Sequence, residues 1–379
     1  MPFITIKQSP IYYQMSLDDI LDGTFDISKM VVQNITNTRT TFREYFKSSF
    51  LEKFDFGAMI NSLEMFNQRN SELFSVDRKT LYHTFSIPKK SGGLRKISAP
   101  NKPLMDNLRY LKELLESMMP ATHHTSAFAY VNGRCTVDAV KRHQQNGSKW
   151  FAKLDFSDFF GSTTEEFVLK MFSMIFPFSE IVKTESGYNA LKTALSLCFL
   201  DGGLPQGTPI SPFITNVMMI PIDHHLYNQL RKSDDKLIYT RYADDILVSS
   251  RKTFDHKKIS SIIVDTLRKF DAPFSINHKK TRYGSSSGRN WNLGLMLNKD
   301  NNITIGYRNK KFFKAMCNNY LQDKANNINW DLHDVQVFSG KISYYRSIEP
   351  EYIDYLIGHY NHKFNADILS LIHNDIVNL

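Results

Sequence analysis

The chain has few cysteines and lacks a long apolar run. Its three cysteines, Cys135, Cys198 and Cys317, lie far apart in 379 residues and form no Cys-x-x-Cys pair. That number is odd and too small for a disulfide framework, and the spacing does not fit a thiolate zinc site. No segment approaches the ~18 consecutive apolar residues that a membrane span needs, and the first residues show no secretory leader pattern. We therefore expect a cytoplasmic protein without a membrane partner.

Acidic residues are outnumbered by basic ones, and the excess lies in one segment. The chain has 47 lysines and arginines against 38 aspartates and glutamates, which gives a formal net charge of +9. Residues 268–314 contain 11 of the basic residues and only two aspartates, so this segment alone accounts for the excess. A local basic cluster indicates a polyanionic partner such as nucleic acid.

Apolar periodicity divides the chain into three parts. Residues 11–80 are mainly helical in pattern, residues 81–305 alternate short strand-like runs with helical ones, and the chain from Lys310 onward is again helical. Turn signals such as KKSGG, NG, DGG and SSSG separate the elements of the middle part. This order predicts an α+β protein whose residues 1–80 form a mainly helical N-terminal extension.

Adjacent aspartates occur three times, and one pair lacks an ordinary explanation. The pair Asp18–Asp19 falls in the first turn of a predicted helix, and Asp234–Asp235 falls in a hydrophilic connection. The pair Asp244–Asp245 instead lies between the strand-forming runs KLIYTRY and ILVSS, at the tip of a predicted hairpin. Two carboxylates at a tight turn repel each other unless a cation neutralises them, and hard divalent cations such as Mg2+ prefer such oxygens. The pair therefore predicts a metal site.

A metal site for phosphoryl transfer needs a further carboxylate near the pair. In KWFAKLDFSDFFGS, a predicted buried strand from Trp150 to Leu154 ends at Asp155. Taken alone, Asp155 and Asp158 can equally be caps of a following helix. The segment DGGLPQGTPISPFITNVMM, residues 201–219, adds a loop rich in Gly and Pro that lets the backbone approach a ligand before a helix begins. The ordered combination of the three segments is more specific than any one of them.

In that order, the motifs resemble those of reverse transcriptases, in the branch that holds bacterial retron, group II intron and defence-associated enzymes. The resemblance covers roughly residues 80–350. YHTFSIPKKSGGLRKISAP is similar to the fingers hairpin, LDFSDFFGS and GLPQGTPISP to palm motifs, YADD to the catalytic hairpin, and ITIGYRNKKFF to the entry of the thumb. The resemblance implies a right-hand polymerase, with fingers and an antiparallel palm sheet with packed helices in residues 81–305 and a helical thumb in residues 306–379.

The resemblance also implies roles for individual residues. Asp155 and Asp244 would bind two Mg2+ ions, for which Mn2+ can substitute, and the backbone carbonyl of Phe156 would be an added ligand. Asp245 would complete the negative pocket. Lys280 would protonate the pyrophosphate leaving group, or would simply contact a phosphate.

A nucleotide pocket and a nucleic-acid surface are implied in the same way. Phe160, five residues after Asp155, matches the bulky gate that packs where a ribose 2′-hydroxyl would lie, so deoxynucleotides are the expected substrates. The implied nucleotide-binding residues are Lys89, Arg95, Phe156, Phe160, Gln206, Gly207, Tyr242 and Ala243. The basic segment would hold the duplex product through its phosphates, and its candidate residues are Lys279, Arg282, Arg289, Arg308, Lys310, Lys311 and Lys314.

At two places the sequence differs from the usual retron pattern, and these differences bear on which subgroup of reverse transcriptases it resembles. The triplet Asn292-Leu293-Gly294 stands where retron enzymes usually carry Val-Thr-Gly, and Leu108 stands where relatives often have Gln. These departures favour an unclassified or defence-associated reverse transcriptase over a true retron enzyme.

The expected function is RNA-directed DNA synthesis in antiviral (anti-phage) defence. A dedicated noncoding RNA would be the template, deoxynucleoside triphosphates the substrates and DNA the product. Two alternatives stay open, namely an untemplated or protein-primed DNA polymerase of the same fold, and a non-catalytic RNA-binding scaffold. Two further partners are considered: a second copy of the chain in a homo-oligomer, and an accessory defence protein.

Overall fold

The described part of the chain covers residues 54–89, 92–233, 237–286 and 294–377 of a computed structural model. Most of the N-terminal extension lies outside these ranges, and so do the pairs Asp18–Asp19 and Asp234–Asp235, Asn292, Leu293 and the basic residue Arg289.

The described chain forms two compact units. The first holds the described residues up to Arg134, together with Leu154–Ile246 and Asp255–Thr281. The second holds Cys135–Lys153, Leu247–Phe254 and the described residues from Arg282 onward. Because these units interleave along the sequence, the division into residues 1–80, 81–305 and 306–379 stays a prediction.

The described chain has helices together with the short strands given below, which confirms the predicted α+β class. In chain order the helices are α1 (Phe56–Arg69), α2 (Ser71–Ser75), α3 (Lys102–Met118), α4 (Thr136–Gln145), α5 (Glu165–Phe172), α6 (Phe178–Ile181), α7 (Glu185–Ser196), α8 (Ser211–Met218), α9 (Ile220–Arg231), α10 (His256–Lys269), α11 (Gly306–Ala325), α12 (Leu332–Arg346), α13 (Pro350–Phe364) and α14 (Ile368–Val377). Within the described ranges, no helix is both long and apolar enough to cross a membrane.

Within the described ranges, the strands are short and belong to three sheets. In chain order they are β1 (Tyr82–Pro88), β2 (Leu94–Pro100), β3 (Trp150–Asp155), β4 (Ile238–Tyr242), β5 (Asp245–Ser250), β6 (Arg282–Ser285), β7 (Met296–Leu297) and β8 (Ile303–Thr304). The main sheet has the order β4-β5-β3-β6, and β3 pairs antiparallel with β6 from Trp150↔Ser285 to Lys153↔Arg282. The end of β3 lies beside the start of β5, because the residue after β3, Phe156, donates its N–H to the carbonyl of the residue before β5, Asp244.

Strands β1 and β2 form a separate antiparallel hairpin. Their register runs from Tyr82↔Pro100 to Pro88↔Leu94. The turn needs Gly92 and Gly93, whose φ angles are +89° and +81°, and the Lys89 N–H donates to the Gly93 carbonyl at 2.9 Å. The predicted KKSGG turn is therefore confirmed at its glycines, while Lys90 and Ser91 lie outside the described residues.

Short polar side chains cap the N-termini of several helices. Asn101 accepts a hydrogen bond from the Leu104 N–H and starts α3, and Thr164 accepts one from the Phe167 N–H and starts α5. Helix α3 then buries Leu104, Leu108, Leu111, Leu115 and Met118, which recur at steps of three and four. Leu108 is fully buried in this row, so an apolar side chain fits this position where a Gln would need polar partners.

The second unit has an apolar core built mainly from its C-terminal helices. Phe313, Cys317 and Tyr320 of α11 are fully buried in one cluster with Phe338 of α12 and Ile353 of α13. A smaller cluster of the same unit joins Val140, Phe151, Leu247, Leu295 and Leu297. Cys198 and Cys317 are buried and reduced, as expected for small apolar side chains, whereas Cys135 is exposed.

Candidate active site

Asp155 is the last residue of β3 and is only 5% exposed. A turn follows it, and the next helix, α5, begins at Glu165 with Thr164 as its cap. The alternative that Asp155 caps a helix is therefore excluded. The Phe156 N–H donates to the Asp244 carbonyl at 3.1 Å, which joins the end of β3 to the turn between β4 and β5.

The turn between β4 and β5 carries the two adjacent aspartates. Ala243 takes a left-handed backbone conformation with φ +55°, Asp244 follows it, and Asp245 begins β5. Burial raises the pKa of Asp244 above its ordinary value, and the neighbouring charges of Asp155 and Asp245 raise it further. Asp244 therefore lies within the electrostatic reach of both Asp155 and Asp245.

Lys280 supplies a positive charge to this acidic group. Its Nζ donates to both carboxylate oxygens of Asp155, at 2.9 and 3.0 Å. The hydrogen bond to Asp155 is the main cause that raises the pKa of Lys280, followed by the charges of Asp155, Asp244 and Asp245, while burial acts in the opposite direction. The lysine therefore stays protonated at neutral pH beside the acidic group.

Backbone hydrogen bonds explain why Lys280 reaches a strand end that lies 125 positions earlier. The Asn277 N–H donates to the Asp155 carbonyl at 2.7 Å, and the Lys280 N–H donates to the Asn277 carbonyl at 3.1 Å. The Ser157 N–H donates to the Ser275 carbonyl at 2.8 Å. Residues 275–280 consequently run along the end of β3 and turn toward Asp155.

Hard oxygen donors are the chemistry that this site offers to a cation. Among the residues that the structure describes, no three Asp, Glu, His or Cys side chains are gathered into a cluster ready to hold a metal ion. The ammonium of Lys280 instead lies against Asp155, where a cation would be attracted. Mg2+ prefers carboxylate oxygens, and this site supplies them, so the chemistry of its residues fits a divalent ion.

Phe160 lies in the turn that follows Asp155. Its ring is half-buried and meets Phe159 edge-on, with 5.8 Å between centroids, while Phe159 itself packs against Phe156 and Phe274. The Leu204 N–H donates to the Phe160 carbonyl at 3.0 Å. The turn is thereby fixed to the Gly- and Pro-rich loop.

That loop also lies against β2 of the fingers-like hairpin. The Ser98 N–H donates to the Gln206 carbonyl at 2.8 Å. Gly207 has φ +118°, and a Cβ there would come within 2.9 Å of both Ile97 Cγ2 and the Ser98 carbonyl oxygen. Only glycine meets both requirements without strain. Gln206 and Gly207 therefore lie close to the strand that carries Arg95.

The remaining predicted nucleotide-pocket residues are distributed around this group. Lys89 and Arg95 are exposed on the hairpin of β1 and β2, and Tyr242 is half-buried at the end of β4. Ala243 is buried, and its carbonyl accepts a hydrogen bond from Arg241 Nη1 at 3.1 Å. Together with the acidic residues, all of them belong to the first unit.

The residues predicted to contact nucleic acid differ in how exposed their charged groups are. Lys279, Arg282, Arg308, Lys311 and Lys314 are exposed, and Arg289 lies outside the described residues. Lys310 is half-buried, pairs with Glu349 at 2.6 Å and lies 4.1 Å from the ring centroid of Tyr352. Its charge is engaged within the second unit, which counts against a contact with phosphate.

A buried ion pair supports the aspartate turn, and the sequence reading missed it. Arg241 and Asp223 are both 0% exposed and lie 2.7 Å apart, and the Tyr239 hydroxyl donates to Asp223 at 2.6 Å. Burial disfavours the charge of Arg241, but Asp223 outweighs it and raises the pKa of the guanidinium. The signal was an Arg inside the apolar run LIYTRY and an Asp inside the helical run IPIDHHL.

Tyr130 is a second residue at the site that the sequence reading did not single out. Its ring meets Phe160 edge-on, with 6.4 Å between centroids. Burial raises the pKa of Tyr130, and the charges of Asp244 and Tyr242 raise it further, while Arg95 lowers it. The phenol thus lies among residues predicted to form the nucleotide pocket.

Comparison with known proteins agrees with this arrangement. The family model described as reverse transcriptase (RNA-dependent DNA polymerase) matches residues 87–319. The Escherichia coli retron Ec83 reverse transcriptase is 27% identical over 290 residues, which cover 73% of this chain and 86% of the relative. The Escherichia coli retron Ec73 reverse transcriptase is 29% identical over 305 residues, which cover 77% of this chain and 90% of the relative.

A further retron relative and a solved structure also match the chain. The Myxococcus xanthus retron Mx65 reverse transcriptase is 26% identical over 284 residues, 73% of this chain and 63% of the relative. A solved structure of telomerase from Candida tropicalis with a fragment of telomeric RNA is 14% identical, with a TM-score of 0.46 over 80% of this chain and 58% of that chain. Since the family model spans more than half of the 379 residues, the chain belongs to the reverse transcriptase family, as an RNA-directed DNA polymerase, and the relatives named above are bacterial retron enzymes.

Proposed function

We propose that this reverse transcriptase copies a dedicated noncoding RNA into DNA by two-metal phosphoryl transfer, and that the DNA serves bacterial antiviral defence. The proposed chemistry is supported by the position of Asp155 at the end of β3. The next residue, Phe156, donates a hydrogen bond to the turn that holds Asp244. The retron relatives support an RNA template. The defence role rests on the resemblance of the motifs to the defence-associated branch.

Asp155, Asp244 and Asp245 are proposed to hold the metal ions, with the carbonyl of Phe156 as an added ligand. Two Mg2+ ions, or Mn2+ in their place, would activate the primer 3′-hydroxyl and stabilise the charge on the triphosphate. The carboxylates need such a partner, because burial and mutual repulsion already raise the pKa of Asp244.

Lys280 is proposed to keep a proton at its Nζ for the pyrophosphate leaving group. Its hydrogen bonds to Asp155 favour the ammonium form, and its side chain is 54% exposed, so solvent and ligand can both reach it. An acid in this position would speed departure of the leaving group. The same charge also balances Asp155 before substrate binds.

Phe160 is proposed to be the gate that excludes a ribose 2′-hydroxyl. Its backbone is tied to Leu204 and its ring to Phe159, so a clash with an extra hydroxyl is not relieved by an easy movement. Gln206, Gly207, Tyr242 and Ala243 would line the rest of the pocket, and Lys89 and Arg95 would approach the triphosphate from the hairpin.

Helix α11 offers a surface for the nucleic-acid backbone. Arg308, Lys311 and Lys314 are exposed on it, beside the exposed aromatic side chains of Tyr307 and Phe312. Lysines and arginines in this arrangement would bind phosphates without regard to sequence, and the aromatic rings could stack on sugars or bases. Lys279 and Arg282 are proposed as further phosphate contacts.

The test is to purify the protein from its own cells with the RNA it carries and to supply deoxynucleotides and Mg2+. The sequenced DNA should be complementary to part of the co-purified RNA, and RNase treatment before the reaction should abolish synthesis. A double variant Asp244→Asn and Asp245→Asn, purified in the same way, should carry the RNA and make no DNA. A product without a complement in the RNA would replace templated copying with untemplated synthesis.

A further inference from the structure

Tyr130 occupies a backbone conformation that its side chain disfavours. Its φ is +59°, in the left-handed region, where a bulky residue is uncommon, and its side chain is nevertheless 55% exposed. A strained residue persists only where its surroundings determine its position, and such residues concentrate at functional sites. The contacts of Tyr130 with its neighbours should therefore show what holds it in this conformation.

Hydrogen bonds fix the chain immediately before Tyr130. The Arg241 N–H donates to the Ser126 carbonyl at 2.7 Å, and the Phe128 N–H donates back to the Arg241 carbonyl at 2.9 Å. Asn216 Nδ2 donates to the Ala129 carbonyl at 2.8 Å. Arg241, which holds this segment through its backbone, also holds the aspartate turn, since its Nη1 donates to the Ala243 carbonyl.

The ring of Tyr130 lies next to the ring of Phe160. The two planes meet at 81° with 6.4 Å between centroids, and Phe159 meets Phe160 at 82° with 5.8 Å between centroids. Phe160 consequently has two aromatic neighbours, both in edge-to-face contact. Such contacts favour particular ring orientations, because the edge of one ring attracts the face of the other.

We propose that Tyr130 is a positioning residue for sugar selection, whose ring keeps Phe160 in the orientation that blocks a ribose 2′-hydroxyl. This inference rests on the proposed gate role of Phe160. It assigns the effect to the ring of Tyr130 and not to its hydroxyl. It also explains the strained backbone, since the left-handed conformation is what directs the ring from the fixed segment toward Phe160.

The test compares dTTP with UTP on poly(rA)·oligo(dT) in Mg2+, as the ratio of kcat/KM for the two nucleotides. We expect Tyr130→Ala to lower this ratio about three- to tenfold, chiefly through a lower KM for UTP. Tyr130→Phe should retain the wild-type ratio, because it keeps the ring. Tyr188→Ala, which removes a half-exposed tyrosine of α7, is the matched control and should also retain it.

A double-mutant cycle separates this inference from the gate proposal. Phe160→Ala alone should lower the ratio by roughly tenfold or more, and Tyr130→Ala should add nothing in that background, because there is no ring left to position. If Phe160→Ala discriminates as the wild type does, the proposed gate role of Phe160 fails and the inference fails with it.

Two other results would overturn the inference and leave the gate intact. One is an unchanged ratio in Tyr130→Ala while Phe160→Ala loses selectivity. The other is a loss of selectivity in Tyr130→Phe as large as in Tyr130→Ala, which would assign the effect to the hydroxyl. Equal melting temperatures of the variants and the wild type show that each ratio describes a folded protein.

Discussion

The ammonium of Lys280 is bound by both carboxylate oxygens of Asp155, at 2.9 and 3.0 Å, although the two residues are 125 positions apart. The aspartate is almost fully buried and the lysine is half-exposed. The positive charge of Lys280 thus lies on the solvent-facing side of the acidic site, where a substrate phosphate would enter.

Replacing Lys280 by Met should lower kcat by about 10²-fold or more, because the leaving group loses its proton donor. Lys280→Arg should restore the charge beside Asp155 but not the rate, since a guanidinium gives up its proton far less readily. Single-turnover incorporation measures the effect. Lys257→Met, an exposed lysine of α10, is the control, and a Lys280→Met enzyme as fast as this control would contradict the acid role.

The strand end at Asp155 and the turn at Asp244 could be predicted because each follows a run of β-prone apolar residues. The C-terminal helices α11 to α14 were predictable for a similar reason, since apolar residues recur in them at steps of three and four. The resemblance then added the hairpin of β1 and β2, which apolar patterning describes poorly because most of its residues are exposed.

The contacts around these elements could not be predicted in the same way. Nothing local connects Lys280 to Asp155, because only the folded path of residues 275–280 brings them together. In the sequence, Arg241 is a charged residue that interrupts an apolar strand. Only the fold shows the reason, because it places Asp223 beside it. Tyr130 gives no signal either, since left-handed residues are usually predicted from glycine or asparagine.

Breaking the buried pair of Arg241 and Asp223 should cost stability. Asp223→Asn leaves the guanidinium without its counter-charge in a fully buried position, and we expect a loss of about 3–5 kcal/mol in the free energy of unfolding. Urea denaturation measures it. Asp265→Asn removes one partner of an exposed pair with Arg268 and should cost less than about 1 kcal/mol. Similar losses in the two variants would contradict the importance of the buried pair.

Gly207→Ala should both destabilise the loop and weaken nucleotide binding. The new Cβ would meet Ile97 and the Ser98 carbonyl at 2.9 Å, at a φ of +118° that disfavours alanine, so we expect a cost of about 1–3 kcal/mol. The KM for deoxynucleotides should rise with it.

Gly340→Ala is the matched control for this substitution. Gly340 lies inside α12 with open space around it, and alanine there should stabilise the protein by up to about 1 kcal/mol. A Gly207→Ala variant that gains stability as this control does would show that the loop tolerates a side chain.

The buried His143 should make the second unit sensitive to acid. Burial, together with the smaller effect of the Arg142 charge, lowers the pKa of His143 from 6.5 to about 3, and Nδ1 lies 2.5 Å from the Ser249 hydroxyl. A histidine with a lowered pKa binds its proton only after unfolding, so its contribution to stability is present above pH 6.5. That contribution is lost as the pH falls toward 3, at about 1.4 kcal/mol per pH unit.

Unfolding by urea between pH 6.5 and pH 4 tests this prediction. The stability of a His143→Gln variant should fall less steeply over that range than that of the wild type. His333→Gln, at an exposed histidine of α12, should follow the wild-type slope. An identical slope in His143→Gln and the wild type would remove His143 as the cause.

The most direct test of the account is Mg2+-dependent incorporation of one deoxynucleotide by Asp155→Asn and Asp244→Asn variants. Each should lose at least about 10³-fold in kcat, because the carboxylates that would hold the metal ions are gone. Both should keep the melting temperature of the wild type within a few degrees. Asp265→Asn should remain fully active. If either site variant incorporates nucleotide at a rate close to that of Asp265→Asn, the acidic group is not the catalytic centre.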